Sequence, residues 1–151
     1  MQAHYVHTNL IAADWRRLAD FYIRLFGCTP APPERDFQGD LLERGTGLPG
    51  AHLRGVHLHL PGYGEEGPTL EVFNYSELAS RPPTAVNRPG FGHIAFAVED
   101  VAAAHAEVLA NGGAAVGEVV TLTVADGRRV TWCYVTDPEG NLIELQSWSA
   151  A

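Results

Sequence analysis

The sequence predicts an α+β fold in which one module is built twice. Three observations lead there. A strand-like run containing a histidine opens each half: Tyr5 to Ile11 with His7, and Phe91 to Val98 with His93. Alternation of apolar with other residues is the mark of a half-buried strand. In both copies an Asp follows the His by seven residues (Asp14, Asp100) and a Gly follows it by twenty (Gly27, Gly113). An Asp ahead of an apolar-periodic stretch caps a helix, and a Gly after it ends one. Further strand-like runs follow each helix. Each half therefore reads as strand, helix, then three strands. We expect a single domain of two modules, about 1–76 and about 90–151, joined by a linker at about 77–89.

Taken in order, Asp14 caps a helix on which Trp15, Leu18, Phe21, Tyr22, Leu25 and Phe26 form one stripe, and Gly27 stops it. Pro30, Pro32 and Pro33 predict a stiff loop. Phe37 to Glu43 reads as a short strand, and Gly45 to Gly50 as a turn-rich insert. Ala51 to Leu60 and Thr69 to Tyr75 read as strands. The polar, proline-rich stretch from Ser76 to Pro89 predicts the linker. In the second half, Asp100 caps a helix through Ala110, ended by Asn111-Gly112-Gly113. Val116 to Val124 and Arg128 to Thr136 predict a hairpin around Ala125-Asp126-Gly127. Asp137-Pro138-Glu139-Gly140 is a turn, and Asn141 to Trp148 the last strand.

Composition bounds the function. At 151 residues and 46% hydrophobic, the chain can bury a core without disulfides. A formal net charge of −8, from 10 basic and 18 acidic residues, argues against a nucleic-acid surface and against a polybasic patch for acidic lipid. The two cysteines, Cys28 and Cys133, form no CxxC and read as reduced core thiols. No signal segment and no apolar run near ~18 residues is present, so we expect a cytoplasmic protein with no membrane partner.

Four residues stand at matching places. His7 and His93 lie in the first strands of the two halves, and Glu71 and Glu144 lie in the last. Strand neighbours point to opposite faces. If Leu70 and Val72 pack on the helix, Glu71 faces away from it. The same holds for Glu144 between Ile143 and Leu145, and for His93 beside Ile94. A helix covers only one face of such a sheet, so all four are expected to point into the space enclosed by the two sheets. A lone histidine on a strand is ordinarily a hydrogen-bonded or surface residue, and a lone mid-strand glutamate is ordinarily solvated. Recurrence of both at equivalent places points instead to a site. Buried carboxylates without partners are costly, and a divalent metal removes the cost. Two imidazoles and two carboxylates suit Zn²⁺, Ni²⁺, Fe²⁺, Mn²⁺ or Co²⁺ without choosing among them.

At these residues the chain resembles the vicinal oxygen chelate superfamily, the glyoxalase/bleomycin-resistance/dioxygenase fold. Gly90-Phe-Gly-His-Ile-Ala, Asn111-Gly-Gly113 and Asp137-Pro-Glu-Gly-Asn-Leu-Ile-Glu144 look like the bacterial glyoxalase I pattern, as do His7, the Phe21-Tyr22…Leu25-Phe26-Gly27 helix end and Leu70-Glu71. The resemblance covers nearly the whole chain. It implies paired βαβββ modules forming a cupped mixed sheet around one divalent metal ion, with His7, Glu71, His93 and Glu144 at the four ligand positions. Epimerases of this superfamily usually carry Gln at the place of Glu71. Extradiol dioxygenases use two His and one carboxylate. Bacterial glyoxalase I carries a glutathione-binding Arg four residues after the first metal His, where this chain has Ile11. That departure argues against glutathione.

The expected activity is a glyoxalase-like isomerase, lyase or epimerase that abstracts a proton beside a metal-bound carbonyl of a small-molecule (thio)ester or hemithioacetal. Glu144 is the first candidate for the base and Glu71 the second. Candidate substrate contacts are Asn9, Phe73, Arg54, His57 and His59. The two histidines are also open to readings as extra ligands, acid/base groups or plain hydrogen-bonded residues. Competing classes are a non-haem Fe(II) ring-cleaving dioxygenase and a non-catalytic small-molecule or antibiotic binder. A homodimer is expected, because Trp15, Trp148 and the sheet edges need covering.

Overall fold

The computed structural model describes residues 1–150. The chain divides into two compact units, Met1–Arg81 and Pro82 onward. The first runs β1 (His7–Ile11), α1 (Trp15–Phe26), β2 (Thr29–Gln38), α2 (Asp40–Thr46), β3 (His52–His59) and β4 (Thr69–Tyr75). The second runs β5 (Ile94–Ala97), α3 (Val101–Ala110), β6 (Ala114–Thr123), β7 (Arg129–Thr136) and β8 (Leu142–Ser149). Each unit holds a four-stranded mixed sheet, in the orders β1-β4-β3-β2 and β5-β8-β7-β6. The first and last strands of each unit are parallel neighbours, and the other pairs are antiparallel. This is the expected α+β fold of repeated βαβββ modules, with one helix more than the sequence suggested.

Local chemistry places the helices. The Asp14 carboxylate accepts from the Arg17 N–H, and Gly27 takes a left-handed conformation at φ 69° with its N–H returning to the Tyr22 carbonyl. Between these caps, Leu18, Phe21 and Tyr22 are almost wholly buried. Such burial contributes about 1.5–3 kcal/mol for each large apolar side chain. They pack against Val56 and Leu58 of β3 and Leu70 and Val72 of β4, also buried. In the second unit, the Asp100 carboxylate accepts from the Ala103 N–H. Val101 and Val108 of α3 pack on β6, β7 and β8, where Cys133, Val135, Ile143 and Leu145 form the core.

Four expectations need correction. The Pro30–Pro33 stretch is not a loop but part of β2. That strand is an edge, and its register with β3 slips between Ala31 and Arg35. Proline lacks the ladder N–H, and an edge or bulge is where a strand tolerates that loss. The short strand at Phe37 to Glu43 is instead the end of β2 followed by α2. Gly45 and Thr46 of the turn-rich insert close α2, with Gly47 left-handed behind them. Finally, β5 begins at Ile94, so His93 stands just ahead of the strand.

Candidate functional site

In the first unit the register lays out rows of side chains across the helix-free face. Asn9, Glu71 and His57 lie side by side on β1, β4 and β3. His7, Thr69 and His59 form the next row, and Ile11, Phe73 and Gly55 the row on the other side. Leu70, Val72 and Val56 take the opposite parity into the core, so Glu71 faces away from α1.

Glu71 is only 7% exposed. Its Oε1 lies 3.3 Å from His7 Nδ1 and 3.1 Å from His57 Nε2, and its Oε2 accepts from Asn9 Nδ2 at 3.3 Å. The His57 ring rests on Phe73 at a centroid separation of 5.6 Å. Phe73 in turn covers Gly55, where a Cβ would sit 2.3 Å from the Phe73 ring and 2.1 Å from the Val72 carbonyl. Burial pushes the His57 imidazole below its ordinary pKa; Glu71 opposes that shift, while Arg35 and His7 add to it.

The second unit repeats the arrangement with different neighbours. His93 Nε2 lies 3.1 Å from Glu144 Oε2. Ala95, Glu144 and Tyr134 form the row that corresponds to Asn9, Glu71 and His57. The His93 ring packs on Tyr134 at 5.0 Å, and Tyr134 meets Trp132 edge-on at 5.0 Å. Burial raises the Tyr134 phenol, and the Glu144 charge raises it further. The turn ahead of β8 is held by Asp137, 1% exposed. Its carboxylate accepts from the Glu139 and Asn141 N–H groups, each at 2.9 Å, and from the Asn141 amide at 2.7 Å. That anchored turn delivers Leu142-Ile143-Glu144 with Ile143 in the core and Glu144 away from it.

The expected site residues thus fall as follows. His7, Asn9 and His57 all meet Glu71, with Phe73 behind His57. His59 shares their face one row away, and its buried Nδ1 has no hydrogen-bond partner. His93 and Glu144 form the second pair. Arg54 is not brought to either. It shares the parity of Val56 and Leu58, on the α1 side of β3, so it stands on the other side of the strand from His57. Tyr134 was legible only as an aromatic strand residue. Its place beside Glu144 follows from the β7–β8 register, which no local motif states. Arg35, near enough to act on His57, was masked by the proline run around it.

Among the described residues, no three or more His, Cys, Asp or Glu side chains are grouped so as to hold a metal ion. The donor types in each pair are nonetheless ones that a divalent metal accepts. Each pair offers an imidazole nitrogen and a carboxylate oxygen, and neither glutamate pairs with Lys or Arg among the described residues.

Comparison with known proteins decides the family. The profile described as the Glyoxalase/Bleomycin resistance protein/Dioxygenase superfamily matches residues 4–145. The chain belongs to this superfamily. Its matched span takes in both units and both His–Glu pairs. No curated relative matches the chain. Among solved structures, a glyoxalase family protein from Bacillus cereus is 21% identical, with a TM-score of 0.71, over 99% of this chain and 95% of that one. The trypanothione-dependent glyoxalase I of Leishmania major is 24% identical, with a TM-score of 0.62, over 97% and 87% of the two chains. A glyoxalase/bleomycin resistance protein/dioxygenase domain from Frankia is 15% identical, with a TM-score of 0.61, over 100% and 96%. At these identities the likeness speaks for the superfamily fold alone. Among the described residues, no helix is long and apolar enough to cross a membrane.

Proposed function

We propose that this superfamily member is a metal-dependent isomerase, lyase or epimerase that moves a proton next to a carbonyl, with His7, Glu71, His93 and Glu144 as the metal ligands. One observation carries this reading. Each unit sets a histidine against a glutamate, at 3.3 Å and 3.1 Å, on the helix-free face of its sheet, with no Lys or Arg among the described residues compensating either carboxylate. When bound, a divalent ion (Zn, Ni, Fe, Mn or Co) supplies a Lewis acid that polarises a substrate carbonyl.

The chain's own residues do the rest. Glu144 accepts the proton from the C–H beside the carbonyl at a carboxylate oxygen and returns it to a neighbouring atom or to the opposite face. Its side chain is 18% exposed against 9% for Glu71, and His93 lies 3.1 Å from it. Tyr134 and Trp132 wall that side. Ala95 and Ala97, small and exposed on the same face, leave room for substrate beside Glu144. Ile11, 42% exposed in the Phe73 row, offers no cation to a peptide carboxylate. That favours a small hemithioacetal or thioester substrate over a glutathione adduct.

The test is solvent deuterium uptake. Metal-loaded protein in D₂O, given hemithioacetals of a neutral thiol or 2-methyl-branched acyl-CoA esters, should incorporate deuterium at the carbon next to the carbonyl. No incorporation in either class, or oxygen consumption with catechols in its place, overturns the assignment.

A further inference from the structure

The two halves are alike at His and Glu and unlike immediately around them. In the row through Glu71, the neighbours are Asn9 on β1 and His57 on β3; in the row through Glu144, they are Ala95 on β5 and Tyr134 on β7. Both oxygens of Glu71 are therefore held. His57 Nε2 reaches Oε1 at 3.1 Å, and Asn9 Nδ2 donates to Oε2 at 3.3 Å. The 3.1 Å contact sets a His57 ring nitrogen against an acceptor-only carboxylate, and in the tautomer protonated at Nε2 that nitrogen is a donor to it. The His57 ring is itself seated, on Phe73 at 5.6 Å, and Phe73 occupies the space that Gly55 leaves by having no side chain.

We propose that His57 is a positioning residue that clamps the Glu71 carboxylate as the fixed ligand of the site. The chain Gly55–Phe73–His57–Glu71 fixes one oxygen, and Asn9 fixes the other. Among the described residues Glu144 has no matching clamp, which divides the labour between two glutamates that the sequence makes look equivalent. Outer-shell partners of this kind orient a ligand and raise its basicity, and losing one typically costs about 10–100-fold in metal affinity. The inference rests on reading His7 and Glu71 as metal ligands.

The experiment is a Co²⁺ titration of the full chain, read by visible absorption and by competition with a chromophoric chelator. The variants are His57→Ala, His57→Gln and His7→Ala, with the thermal midpoint of each metal-free variant recorded. His57→Ala should bind Co²⁺ about tenfold or more weakly, with an unchanged absorption envelope, because the ligands themselves are intact. His57→Gln, whose amide restores an N–H donor, should recover most of the affinity. His7→Ala, which removes a ligand, should lose far more affinity and alter the spectrum. Equal binding by wild type and His57→Ala overturns the clamp alone. So does a His57→Gln variant as weak as His57→Ala, since the donated N–H is the argument. A His57→Ala variant that loses the ion and its spectrum as completely as His7→Ala makes His57 a ligand, which also overturns it. A wild type that binds no Co²⁺ overturns the metal reading and the clamp together.

Discussion

Glu71 and Glu144 differ in what surrounds them. Glu71 is held at three points and is 7% exposed; Glu144 meets one histidine, with a raised phenol beside it. A ligand gains from being fixed, whereas a base must reach a proton and give it back. Glu144→Gln should therefore lower the deuterium-exchange rate by about 10²–10⁴-fold, the usual worth of a positioned base, and weaken metal binding less than Glu71→Gln does. Mass-spectrometric exchange rates together with metal content separate the two effects; a Glu71→Gln protein that keeps its ion while Glu144→Gln loses it would reverse the roles. The thiols play no such part. Cys28 is 1% exposed and burial pushes its pKa up to about 11, while burial first and Glu144 second raise Cys133. Both are free and buried, as reduced core thiols should be.

At the scale of elements, side-chain parity made the placement of the candidate residues legible. Leu70-Glu71-Val72 and Ile143-Glu144-Leu145 each put one carboxylate on the face opposite two core residues, and that follows from strand geometry alone. What parity also says, and the sequence reading did not carry through, is that Arg54 belongs with Val56 and Leu58. Register was hidden for a different reason. That His57 lies against Glu71 and Tyr134 against Glu144 depends on how strands separated by whole loops align, and no local pattern encodes it. The prolines of β2 misled because the cost of a missing N–H vanishes at an edge, and an edge is a property of the sheet. Glycines sharpen the same point. Gly45 lies in α2 with nothing within 4 Å of a Cβ, whereas a Cβ on Gly55 would sit 2.1 Å from the Val72 carbonyl. Gly45→Ala should leave stability unchanged or raise it by about 0.4–1 kcal/mol. Gly55→Ala should cost about 1–3 kcal/mol from overpacking and unseat Phe73. Urea unfolding midpoints at constant slope check both; equal midpoints for the two variants would mean that Gly55 is not the support of the Phe73–His57 stack.

For the whole molecule, repetition of one module supplies a His–Glu pair in each unit, and departures from repetition surround the two pairs differently. The net charge of −8 adds a general attraction for cations, but a specific ion must show itself through linkage to folding. A ligand that binds the folded chain and not the unfolded one stabilises by RT ln(1 + [L]/Kd), about 2.7 kcal/mol at a hundredfold excess over Kd. For a domain of this size that raises Tm by about 5–11 °C. The chain stripped with chelator should therefore melt lower than the chain loaded with a divalent cation. His93→Ala, which removes one proposed donor outside the core, should melt near the stripped wild type and gain much less from added ion. Protons compete with the ion for imidazole and carboxylate alike, so the increment should be present at neutral pH and shrink as the solution is acidified. Scanning calorimetry across pH, with and without ion, reads both effects. An increment in His93→Ala as large as in wild type would mean that the cation binds the acidic surface rather than the paired histidines and glutamates.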